Sequence, residues 1–219
     1  MLIPMWAQHK VKSNYEKYSQ VRSTSGKTGR EVAEEILHAN GIYDVDVVKG
    51  EGFLTDHCDP NKKVVCLSPA NFDRPSVAGT AIAAHEVGHA IQHQQGYAFL
   101  RFRTALVPLA NIGSSLSYIV IMAGIFLTAL GSAFGSTALW IGAGLMSLAV
   151  LFSIVTLPVE FDASSRAMKQ ITALNIVNEK EYKHARKVLS AAAMTYVAAT
   201  ATAVAELVRI ILLARANDN

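Results

Sequence analysis

Only two cysteines, Cys58 and Cys66, occur in 219 residues, eight positions apart and without a CxxC spacing. A disulfide-stapled secreted scaffold needs more, so the pair reads as two free thiols in a reducing compartment. Charge is also sparse: Asp, Glu, Lys and Arg make up 17% of the residues against 51% hydrophobic. Disorder and collagen are excluded, and a mean hydropathy of +0.27 is too high for an ordinary soluble domain. A formal net charge of +3 is too small to argue for a nucleic-acid partner. There is no repeat or low-complexity tract apart from the Ala-rich stretch 191–205.

The scarcity of charge is concentrated. From Thr104 to Val159 there is no Asp, Glu, Lys, Arg or His, a run of 56 residues. One crossing of a hydrocarbon layer takes only about 20. The run divides at the small, turn-prone residues 131–136 into two expected spans, about 106–130 and 137–157, forming a helical hairpin. A third span is expected within 188–213, uncharged until Glu206 and Arg209, whose i, i+3 spacing lets them pair. The alternative for this Ala-rich segment is a buried helix packed on the others. Because a hairpin returns the chain to its starting side, residues 1–103 and 160–187 share one face of the membrane. They carry 18 of the 20 Lys and Arg, and the turn carries none, so the positive-inside rule makes that face cytoplasmic. The first seven residues are apolar but too short to span, and read either as an interfacial segment or as part of a longer span.

In the polar half, Thr28 and Glu31 form a capping box that opens a short amphipathic helix with Val32, Ile36 and Leu37 on one face and a stop at Gly41. Three β-prone runs follow, at Val45–Val48, Phe53–Thr55 and Val64–Leu67, read as a small antiparallel sheet. Ser76 is the expected N-cap of a helix over about 77–95 that stops at Gly96.

That helix carries His85-Glu86-Val87-Gly88-His89. The i, i+4 spacing puts both imidazoles on one face, close enough to share one ion with Zn–N bonds of about 2.0–2.1 Å. Glu86 is rotated about 100° from His85 and is free to take a proton from an activated water. A catalytic zinc usually has a third protein ligand. His93 fails, because two helical turns, about 12 Å of rise, separate it from His85. Glu160 and Asp162 remain, just beyond the second span; two residues apart on a helix, only one of them can face the ion. The spacing of His57, Cys58 and Cys66 matches no standard metal cluster.

Residues 85–92, the uncharged hairpin and Pro158-Val-Glu-Phe-Asp-Ala-Ser164 together resemble the membrane zinc metallopeptidases of the YugP family, and more distantly the HtpX-type gluzincins. The likeness covers nearly the whole chain, including Tyr15–Gly29 and Val64–Ala84. It implies one zinc ion bound by His85, His89 and Glu160, with Glu86 as catalytic base. Ser164 departs from the HtpX pattern, where an Asp supports a ligating histidine, so that support must come from something else here. The N-terminus is also shorter than in the YugP relatives, which begin with a spanning segment.

The resulting expectation is an α+β, multi-pass protein of the cell membrane. A small zincin-like metallopeptidase domain (1–103 and 160–187) is interrupted by a transmembrane hairpin (104–159) and followed by a C-terminal transmembrane helix and tail (188–219). Substrates are expected to be proteins or peptides, chiefly membrane proteins, in contact with membrane lipid. Val64–Ser68 could offer an open strand edge to an extended substrate, or be an inner strand. Tyr182, His184 and Arg186 are candidate oxyanion donors on the same side, left outside the site. An intramembrane protease of the site-2 kind fits less well, since the polar Gln92–Gln95 follows His89 and no Asp-Gly pair occurs. The non-enzymatic alternative is a membrane-anchored scaffold with a structural metal helix.

Overall fold

A computed structural model describes residues 2–218. In chain order the elements are α1 (Leu2–Ser19), α2 (Gly29–Ala39), β1 (Asp46–Lys49), β2 (His57–Asp59), β3 (Val64–Leu67), α3 (Pro69–Asp73), α4 (Val77–Gln94), α5 (Ala98–Ala129), α6 (Phe134–Ala173) and α7 (Glu179–Ala216). The expected mixture of a small sheet with helices is present, and helix dominates.

Local signals account for the helix boundaries. The Glu31 carboxylate accepts from the Thr28 amide at 2.8 Å while Thr28 Oγ1 accepts from the Glu31 amide, and Val32, Ile36 and Leu37 are buried below. Gly41 ends α2 at a φ of +71°, a conformation costly for any side chain. Ser76 Oγ caps α4 by accepting from the Gly79 amide at 3.0 Å. A second capping box, Asn178 with Glu181, opens α7. Glu181 also accepts from the Thr24 amide and hydroxyl at 2.6 and 2.7 Å, tying α7 to the loop after α1.

The sheet corrects the antiparallel expectation. Its order is β1-β3-β2, with β1 parallel and β2 antiparallel to β3. Phe53–Thr55 is not a strand: Gly52 and Leu54 both have positive φ, which breaks extension, and pairing resumes at His57. Nor is Val64–Ser68 an open edge, because β3 has a neighbour on each side, with Val65 and Leu67 fully buried.

Three helices, α5, α6 and α7, are long and apolar enough to cross a membrane. α6 and α7, of 40 and 38 residues, are each about 60 Å long, roughly twice the hydrocarbon thickness, so each can both span it and project beyond it. α6 continues through Pro158 without interruption. Within the hairpin, a Cβ at Gly142 would fall 2.4 Å from Ile121 Cγ1, so the close approach of α5 and α6 requires glycine there. Thr200 Oγ1 donates to the Ser153 carbonyl, joining α7 to α6, and Trp140 Nε1 donates to Asp218 at 2.9 Å. The end of α7 thus lies beside the start of α6, at the turn of the hairpin. Glu206 and Arg209 pair as expected, at 2.5 and 3.0 Å.

Candidate metal centre

α4 crosses α6 closely because Gly88, in the middle of the His-Glu-Val-Gly-His run, has no side chain. A Cβ there would stand 2.6 Å from the Ala163 carbonyl oxygen. That contact sets the two histidines of α4 opposite the Glu160-to-Ser164 turn of α6.

Glu160, 3% exposed, turns inward. Its Oε2 lies 3.4 Å from His85 Nε2 and 3.7 Å from His89 Nε2, longer than ordinary hydrogen bonds, and among the described residues this buried oxygen has no hydrogen-bond partner. The three ligand atoms lie within 4.8 Å of one another. Two ligand atoms at zinc bonding distance and a tetrahedral angle would be about 3.3 Å apart, so the separations suit one ion with little adjustment. Among the described residues, this is the one grouping of three such side chains. Asp162, the other acidic candidate, faces away and accepts from Arg166 Nε at 2.5 Å.

Both imidazoles are held from behind. Gln92, fully buried, donates through Nε2 to the Val159 carbonyl and to Asp162 Oδ2, each at 2.8 Å. Because both partners only accept, the amide orientation is fixed, and Oε1 faces His89 Nδ1 at 3.0 Å. His89 Nδ1 must then carry the proton, leaving Nε2 with a lone pair toward Glu160. Ser164 Oγ lies 3.1 Å from His85 Nδ1 and is the polar partner of that ring. Metal-binding histidines characteristically have such partners. The residue at the position of the HtpX Asp, Ser164, is thus in contact with His85, and Gln92 with His89.

The electrostatics follow from burial. Burial raises the Glu160 carboxyl, but the two imidazoles outweigh it and hold the group well below the usual carboxylate range. Burial lowers His89, and Glu160 and Glu86 reverse that to leave it raised. Burial pushes the Glu86 carboxyl up, opposed by His85 and His89 and reinforced by Asp56 and Glu160. Cys58, on edge strand β2, has its thiol pushed up to about 12 by burial and then by Glu86 and Asp59.

Two further residues border the centre. Arg103, from the first turns of α5, places Nη1 3.6 Å from Glu160 Oε1, and Tyr196 of α7 is near enough to sense both Glu160 and Glu86. Neither was legible as a site residue, since each comes from a different helix and matches no motif. Tyr182 and Arg186 instead line a groove between α6 and α7, His184 stacks on Tyr18, and His93 lines a separate cavity.

A helix presenting two imidazoles to a buried carboxylate, beside three apolar helices long enough to cross a membrane, is the arrangement of a membrane-associated candidate zinc site. The chain belongs to the family described as "Putative neutral zinc metallopeptidase", whose model matches residues 1–215. It is 44% identical over 211 residues to the "Putative membrane protease YugP" of Bacillus subtilis (strain 168), a match covering 96% of this chain and 91% of that protein. No solved structure matches.

Proposed function

We propose that this protein is a membrane-embedded zinc endopeptidase. The observation that carries this reading is the buried, unpartnered Glu160 Oε2 facing Nε2 of both His85 and His89. In it, those three side chains would hold one zinc ion, which would supply Lewis acidity toward the scissile carbonyl and toward water.

The protein groups then divide the work. Glu86 accepts the proton of the attacking water and passes it to the departing amine; its raised pKa suits a group that must both take and return a proton. Gln92 and Ser164 keep Nδ1 of each histidine engaged so that Nε2 stays available. Arg103, 3.6 Å from Glu160 Oε1, is a donor placed for negative charge developing on the substrate oxygen. With β3 internal, the free edge for an extended substrate passes to β2, whose Cys58 senses the Glu86 charge. An antiparallel edge strand alongside the His-Glu-Val-Gly-His helix supports the zincin-like reading of residues 1–103 and 160–187.

Glu160 follows the uncharged run at once, so the centre lies close to the headgroup plane. This favours membrane proteins and their juxtamembrane tails as substrates. The distribution of Lys and Arg supports a cytoplasmic centre. The test compares the detergent-purified parent with Glu86→Gln on membrane-protein and peptide substrates. Turnover should fall by about 100-fold or more while bound zinc is unchanged; equal cleavage, or none by either protein across a broad substrate set, would favour the scaffold.

A further inference from the structure

A cleft of about 770 Å3 opens between α1 and α7, and five cationic side chains line it: Lys10 and Lys17 from α1, and Lys183, Arg186 and Lys187 from α7. No Asp or Glu is among the lining residues. Among the described residues, none of the five lies within 4.0 Å of a carboxylate. Helical spacing explains the cluster, since residues three, four and seven apart share a face and the two basic faces are turned toward one cleft. Charges of one sign gathered in this way repel, and an anion between them would remove that cost. His184, beside the cleft and stacked on Tyr18, senses the same field: burial lowers its pKa, and Lys180, Lys187 and Lys17 lower it further against Glu181 alone.

The height of the cleft identifies the anion. Lys187 is the last charged residue before the uncharged run 188–205 of α7, and the cleft continues past it to Ser190 and Met194. On α1, the exposed apolar residues Ile3, Met5 and Trp6 lie within two turns of Lys10. The cleft therefore straddles the level at which α7 passes from water to hydrocarbon. A basic cleft whose inner end reaches the hydrocarbon level at Ser190, Ala191 and Met194 suits an amphiphile with a negative head, whose chains leave beside the uncharged run of α7. Free phosphate would leave that apolar end unused.

We propose that the cleft between α1 and α7 binds the headgroup of an anionic phospholipid, whose acyl chains leave past Ser190 and Met194 into the hydrocarbon beside α7.

The full chain, in neutral detergent, is titrated with phosphatidylglycerol, phosphatidylcholine and inorganic phosphate, and retention is read by native mass spectrometry. Phosphatidylglycerol should bind roughly tenfold more tightly than phosphatidylcholine, and raising salt from about 0.05 to 0.5 M should weaken it. The triple variant K183Q/R186Q/K187Q should lose roughly tenfold or more in affinity, whereas R30Q/K62Q/K63Q, the same charge change outside the cleft, should match the parent. Equal retention of the two lipids, equal loss in both triple variants, or inorganic phosphate binding as tightly as the lipid would each overturn the proposal. Should the cleft variant fail to fold, the headgroup and salt dependence of the parent decide.

Discussion

Glu160 shows what a single residue needs in order to be legible. Its acidity and its position after an uncharged run are visible in the sequence, but so are those of Asp162; only the turn of α6 separates the one facing two imidazoles from the one held by Gln92 and Arg166. Gln92 carried no signal as a support and Ser164 was read only as a departure from the HtpX pattern, because a buried polar side chain acquires its role from partners on another element. Gln92→Ala and Ser164→Ala should each weaken zinc binding about 10- to 100-fold, measured by competition with a chelating dye, with secondary structure unchanged. Zinc affinity should also depend on pH with a definite sign. The bound form needs neutral imidazoles, and His89 is raised above its ordinary value of about 6.5, so protons compete from above that pH. Affinity should therefore rise with pH through the neutral range and then level off; an affinity flat from about pH 5.5 to 8 would exclude the histidines as ligands.

At the scale of elements, α2, α4 and the apolar hairpin were readable and the existence of a small sheet was too, but α1, α3 and the strand directions were not. The Thr28–Glu31 capping box, Ser76 and Gly41 are local signals, and they mark helix ends where the sequence places them. Strand direction is not local: β1 and β3 pair in parallel because the chain crosses over through β2, and nothing in Val45–Val48 or Val64–Leu67 encodes that crossover. Phe53–Thr55 has strand composition, but Leu54 adopts a positive φ and the Phe53 ring packs edge-on against Tyr15 at 5.2 Å. Gly88 is the element-scale feature on which the centre depends. Gly88→Ala should drive α4 and α6 apart at a cost of about 1–3 kcal/mol. A thermal melt in detergent should show a lower midpoint and reduced zinc content together; a fall in neither would mean that the close helix crossing is dispensable.

For the whole molecule, the uncharged hairpin brings together two stretches of chain that are otherwise far apart in sequence. This was legible because a gap of 56 residues without charge is long enough for two crossings and too apolar for water. The sequence did not reveal that α6 passes straight from the apolar run into Glu160 and Ser164, which fixes the carboxylate to the end of a membrane helix as one rigid piece. Glu181 holds the outer ends together through Thr24, and Glu181→Ala, leaving those donors without their acceptor, should cost about 1–3 kcal/mol in the same melt. Tags at the N-terminus and within 174–178 should be accessible from one side of the membrane, and a tag in the 130–133 turn from the other. The most direct test of the central claim is the zinc content of purified Glu160→Ala beside the parent and Glu86→Gln. One ion per chain is expected in the parent and in Glu86→Gln, with loss of most of it in Glu160→Ala; full occupancy in Glu160→Ala would contradict a centre shared between α4 and α6.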